Sequence, residues 1–228
     1  FRRIVPFLSK HHQLFIPDLY GFGFCPRPKD AVYGLDTLVS HLSAVLTQLT
    51  SIEPVGLIGA SMGGAIAMEI ARQHPERISR LLLLSPAGLT GRPMTVPRPL
   101  DQLGVWFLKQ TQVRKALCRQ AFADPIANVG PPEEQIASLH LKTPGWGRSL
   151  AAFARSGGLA NCGFPLPTQP IHVIWGKKDK ILNKDQRSES ITLLGEQSEE
   201  LEDCGHLPHI DLPNVVANTW LRITSNGK

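Results

Sequence analysis

Val55-Gly56-Leu57-Ile58-Gly59-Ala60-Ser61-Met62-Gly63-Gly64-Ala65 is the stretch on which the reading of this chain turns. An apolar run passes into a serine flanked by glycines and then into a segment with a small apolar face, Ala65, Ala67, Met68, Ile70 and Ala71. The pattern predicts a buried strand over 54–58, a sharp turn at Ser61 and a helix from Met62 to His74. The G-x-S-x-G spacing of Gly59, Ser61 and Gly63 suits a turn that holds serine in a strained backbone conformation, its hydroxyl outward and its neighbours too small to cover it. Ser61 is thereby a candidate nucleophile. The helix behind it aims free N–H groups and the positive end of its dipole at the same point, which favours charge growing on an attacked carbonyl oxygen. The Met62 N–H is the expected first oxyanion donor.

Upstream, Arg2 to Ser9 reads as a short amphipathic helix and 13–17 as a strand ending at Asp18. Residues 20–28, with two glycines and two prolines, form a loop. Leu38, Leu42, Val45, Leu46 and Leu49 mark one face of a helix from Leu35 to Leu49. Downstream, Pro75-Glu76-Arg77 ends the serine helix, and Ile78 to Leu84, with its run of leucines, reads as a strand buried on both faces, as in a parallel sheet. Strand and helix alternate, so a doubly wound α/β sheet is expected, with reactive residues gathered at the carboxyl ends of its strands.

From Gly91 to about Thr168 the alternation stops. Prolines at 93, 97 and 99 open a segment with helices expected over 100–110, 113–122, 132–141 and 146–154. This divides the chain into a first core part (1–90), a helical cap (91–168) and a second core part (169–228). Leu103, Leu108, Phe153 and above all Trp106, Phe107, Phe122 and Trp146 are candidates to line an apolar pocket beneath the cap. Ile171 to Gly176 returns to strand, which puts Asp179 in the loop beyond it. A weaker strand near Glu199 leads to His206 in the last such loop, and a helix over Pro213 to Ile223 closes the chain. Asp185 falls inside the next predicted helix and is the lesser acid. Ser61, Asp179 and His206 each follow a strand, and together they supply a nucleophile, an acid to orient an imidazole, and a base.

Composition narrows the rest. The 228 residues are 42% hydrophobic with a formal charge of +5. The basic residues are scattered, so no nucleic-acid partner is expected. Cys25, Cys118, Cys162 and Cys204 form no C-x-x-C pair, which suggests neither zinc nor a disulfide framework and fits a reducing cytosol. No run of about eighteen apolar residues and no signal peptide is present in these residues, so a soluble, cytoplasmic protein without integral membrane association is expected.

The chain resembles the lid-bearing α/β-hydrolase superfamily from end to end. The resemblance is carried by Pro17-Asp18-Leu19-Tyr20-Gly21-Phe22-Gly23, Gly59-Ala60-Ser61-Met62-Gly63-Gly64, His74-Pro75-Glu76-Arg77, Trp175-Gly176-Lys177-Lys178-Asp179 and Gly205-His206-Leu207-Pro208. It implies the α/β-hydrolase fold, a triad of Ser61, Asp179 and His206, a substrate-selecting cap and no metal or organic cofactor. Members of that family carry a His-Gly pair after an early strand, which supplies a second oxyanion donor. No such pair precedes Pro17, so the expectation is a piece of a longer enzyme whose second donor lies upstream of Phe1. Serine excludes the relatives that open epoxides or displace halide with aspartate. The expected substrate is a small or medium apolar carboxylic ester or thioester, cleaved through an acyl-enzyme. The alternatives are a carbon–carbon bond hydrolase and a small-molecule receptor with a retained triad. Carbon–carbon hydrolases usually carry asparagine where Ala60 stands and an aromatic residue where Leu207 stands.

Overall fold

In a computed structural model, residues 1–49 and 53–225 are described. A short α1 (Val5–Leu8) precedes a long irregular segment and α2 (Leu35–Leu49). Then come β1 (Val55–Ala60), α3 (Met62–Gln73) and β2 (Ile78–Leu84). Five helices follow: α4 (Leu100–Lys109), α5 (Thr111–Gln120), α6 (Pro125–Asn128), α7 (Pro131–Leu139) and α8 (Trp146–Arg155). The chain ends through β3 (Ile171–Gly176), α9 (Lys184–Leu194), β4 (Ser198–Leu201), α10 (Pro208–Asp211) and α11 (Pro213–Ser225).

The four strands pair in parallel in the order β1-β2-β3-β4. The leucine run of β2 explains why the sheet is covered twice. Leu81 and Leu83 face a cluster with Leu38, Ile66, Ile70, Val173 and Trp175, whereas Leu82 and Leu84 face one with Ile4, Leu8, Ile174, Val216 and Trp220. Side chains alternate across a strand, so a continuous apolar run can satisfy two layers at once. All four leucines are 0% exposed, and burial of each stabilises by about 1.5–3 kcal/mol relative to an exposed site.

Two expectations are corrected. Residues 13–17 are not a strand: the segment is irregular and Phe15 and Ile16 are exposed, because no neighbouring strand among the described residues offers it a ladder. The amino-terminal helix is a single turn at Val5–Leu8, with Pro6 inside its first turn.

The helical insertion is fastened to the amino-terminal part of the chain at several points. Arg2 and Arg3 pair with Glu133 of α7. The loop at 20–28 is held by Arg27, a buried cation that donates to the carbonyls of Gly21 (2.9 Å), Gly23 (2.6 Å) and Cys25 (3.0 Å). From α8, Ser149 Oγ donates to Gly21 O at 3.0 Å and Arg148 to Arg27 O at 2.7 Å. Within the insertion, Arg155 of α8 pairs with the buried carboxylate of Asp101 in α4.

Candidate active site

Ser61 stands between β1 and α3 with φ of 50° and ψ of −120°, a conformation that L-residues rarely adopt. Such strain costs on the order of 1–3 kcal/mol and persists only where the surroundings enforce it. Here they do. Ser61 N–H donates to Leu84 O at 2.9 Å and Ser61 O accepts from Ala87 N–H at 3.0 Å, so the turn is gripped by the chain leaving β2. A Cβ on Gly59 would lie 2.5 Å from Gly63 O, and one on Gly64 would lie 2.6 Å from Pro86 Cβ. A Cβ on Gly63 would meet nothing within 4 Å. The glycine that sterics require after the serine is therefore Gly64, and Gly63 borders open space.

Asp179 follows β3. Its Oδ1 accepts from the N–H groups of Ile181 (2.8 Å) and Leu182 (3.1 Å), which fixes the carboxylate, and its Oδ2 lies 2.8 Å from His206 Nδ1. His206 Nε2 lies 2.9 Å from Ser61 Oγ. A proton on Nδ1 meets the carboxylate and leaves Nε2 to accept the serine O–H. Both the Asp179 and His206 side chains are buried, at 1% and 6% exposure. Burial alone raises the Asp179 carboxyl, but the hydrogen bond and charge of His206, with the two backbone N–H groups, outweigh it and hold the carboxyl below its ordinary value. Burial, then the charges of Asp211 and Asp179, push the neighbouring Cys204 thiol up to about 12, so it stays protonated and is no competing nucleophile.

Three residues far apart in sequence thus touch in series. Met62 opens α3, and a first-turn N–H has no intrahelical acceptor. Asp185 lies in the first turn of α9, where Asn183 caps its N–H. The aromatic candidates separate. Trp106 and Trp146 border one cavity of about 560 Å³ within the insertion, lined also by Arg98, Lys109 and Arg155 and by none of Ser61, Asp179 and His206. Phe107 is 54% exposed, and Phe122 is enclosed with Arg3 5.9 Å from its ring centre. Phe153 packs edge-on against Phe22.

One contact had no signature in sequence. Asp211 Oδ2 accepts from the N–H groups of both Gly205 and Ala123. A lone acid after a histidine loop reads as a surface residue until the fold brings residue 123 to it.

The sequence model of the alpha/beta hydrolase fold family matches residues 1–213. The chain belongs to that family. It is 31% identical to the 2-hydroxymuconate semialdehyde hydrolase of Pseudomonas sp. (strain CF600), over 92% of this chain and 75% of that protein. It is 38% identical to a 2-hydroxy-6-oxo-2,4-heptadienoate hydrolase of Pseudomonas putida, over 85% of this chain and 64% of that protein. Among solved structures, a meta-cleavage product hydrolase from Pseudomonas fluorescens IP01 superposes with a TM-score of 0.79 at 20% identity, covering 100% of this chain and 85% of that one. A putative lipase from Acinetobacter baumannii AYE gives 0.77 at 22%, covering 98% and 78%. At these identities the structures establish the shared fold. No helix among the described residues is long and apolar enough to cross a membrane.

Proposed function

We propose that this chain hydrolyses a carbon–carbon bond next to a ketone in a 2-hydroxy-6-oxo-dienoate, with Ser61, His206 and Asp179 as its catalytic triad. The observation that carries the bond type is the pair of relatives at 31% and 38% identity, the first named as a hydrolase of 2-hydroxymuconate semialdehyde and the second of 2-hydroxy-6-oxo-2,4-heptadienoate. The contacts of 2.8 and 2.9 Å support the residue roles. The ester substrate expected from sequence rested on Ala60 and Leu207, and two residues beside the triad weigh less than similarity over most of the chain.

The chemistry follows from the groups present. Ser61 Oγ adds to the ketone carbon as His206 Nε2 takes its proton, and Asp179 stabilises the imidazolium. The Met62 N–H donates to the oxyanion. When the tetrahedral adduct collapses, the carbon–carbon bond breaks and its electron pair passes to carbon. That is feasible once the 2-hydroxydienoate has tautomerised, its hydroxyl proton lost and a proton gained at the carbon that will depart, because the resulting 2-ketone then draws the pair through the remaining double bond into a conjugated enolate. His206 returns its proton to the departing carbon, and water then releases the acid from the acyl-serine. The α4–α8 segment serves as the cap, which places substrate selection between insertion and sheet. Cleavage of an ester differs only in that an alkoxide departs, and Ala60 and Leu207 favour that second reading.

Parallel turnover of 2-hydroxy-6-oxohepta-2,4-dienoate and p-nitrophenyl acetate tests the proposal. We expect kcat/KM for the dienoate to exceed that for the ester by 100-fold or more. A preference for the ester establishes the esterase, and covalent labelling of Ser61 by a fluorophosphonate without turnover of either establishes the receptor.

A further inference from the structure

Asp211 ends α10, the single turn that follows His206. Its Oδ2 accepts from Gly205 N–H at 2.7 Å and from Ala123 N–H at 3.0 Å, so one atom joins the residue before His206 to the helical insertion. On the other side, His206 N–H donates to Ala121 O at 2.8 Å. A Cβ on Gly205 would lie 2.6 Å from that same Ala121 oxygen and 2.7 Å from Ala123 N. The backbone at 205–206 therefore fits between the carboxylate and residues 121–123 with no slack. The remaining oxygen, Oδ1, is buried and has no hydrogen-bond partner among the described residues. Burial raises this carboxyl despite the two N–H groups. A buried acid with half its acceptor capacity unused is costly to keep, so what it holds in place matters.

We propose that Asp211 is a positioning residue for His206: its carboxylate fastens the histidine loop to Ala123, so that the insertion itself holds the imidazole within reach of Ser61. The inference rests on the reading of Ser61 and His206 as a reacting pair. It makes the insertion part of the proton-transfer geometry as well as a cover. Insertion movement that breaks the Ala123 contact loosens His206 directly.

The test uses the whole chain with Asp211→Leu and Asp211→Asn. Leucine removes both acceptors at similar size, while asparagine keeps a neutral and weaker one. The readout is the rate at which a fluorophosphonate labels Ser61, since this reports the Ser61–His206 pair without substrate contacts. Deuterium uptake at 119–124 and 203–207 is followed beside it. We expect labelling to slow roughly 10- to 100-fold in Asp211→Leu, the scale of a misplacement near 1 Å, and by less in Asp211→Asn, with uptake rising together in both segments. A folded Asp211→Leu protein that labels at the wild-type rate overturns the proposal. So does an unfolded Asp211→Leu protein with Asp211→Asn labelling at the wild-type rate, which leaves a purely structural tether. A wild-type chain that fails to label removes the nucleophile reading instead, and uptake that rises in one segment alone then overturns the coupling on its own.

Discussion

Gly176 can carry no Cβ, because one placed there would run into the carbonyl oxygen of Gly205. The end of β3 and the loop before His206 lie backbone against backbone, and this close approach is what brings Asp179 to 2.8 Å from the imidazole. Gly176→Ala is expected to push the two loops apart, lowering kcat by about 100-fold and stability by about 1–3 kcal/mol. Steady-state kinetics and thermal melting read the two effects separately.

Ser61→Ala and His206→Ala are each expected to lower kcat by about 10⁴- to 10⁶-fold, whichever bond is the natural substrate. Circular dichroism should show the fold unchanged. Substantial hydrolysis left in either variant rules out the proposed roles.

Asp179→Asn keeps the side-chain shape but presents the imidazole with the wrong partner, and a loss of about 10⁴-fold in kcat is expected. Stability carries a second signature. The Asp179 carboxyl is held below its ordinary value in the folded state, so the unfolded chain binds the proton more readily. The ionised form then contributes stability that is complete above the unfolded value of about 4 and disappears as pH falls through the lower folded value. Denaturant melts from pH 7 to pH 3 should show the wild type losing this advantage over Asp179→Asn toward the acid end.

The two glycines after the serine should respond in opposite ways. Gly63→Ala meets no neighbour within 4 Å, and alanine favours a helix by about 0.5–1 kcal/mol, so unchanged or raised melting is expected. Gly64→Ala presses on Pro86 and should destabilise by about 1–3 kcal/mol.

Arg155→Met strands the Asp101 carboxylate, which is 0% exposed at its side chain. Loss of one partner of a buried pair costs about 3–5 kcal/mol. Chemical denaturation and limited proteolysis within α4 should both report it.

What could be read from sequence divides along physical lines. Periodicity located β2 to the residue, because a strand buried on both faces admits no polar position in its second half. The same kind of signal misled at 13–17, where the short apolar run Leu14-Phe15-Ile16 finds no strand to pair with among the described residues. Glycine spacing marked the turn at Ser61 but not which glycine sterics demand, since that depends on Pro86 arriving from β2. Ser61, Asp179 and His206 were legible because each follows a strand. The aromatic residues of the insertion were not, because the side each presents depends on how α4 packs against α8. Asp211 was invisible for a related reason: its partner Ala123 is a backbone N–H supplied from across the molecule.

β2 and β3 are register-matched neighbours, Leu81 beside Ile171 and Leu84 beside Ile174, although the whole of 85–170 intervenes between them. The entropy of closing a long excursion grows only logarithmically, about 0.6 kcal/mol for each doubling of its length. That excursion can accordingly vary in length at little entropic expense, provided residues 121–123 keep their contacts with His206 and Asp211. Chimeras that trade 91–168 between homologues should retain activity only where those contacts are preserved, and they separate what the excursion admits from what it holds in place.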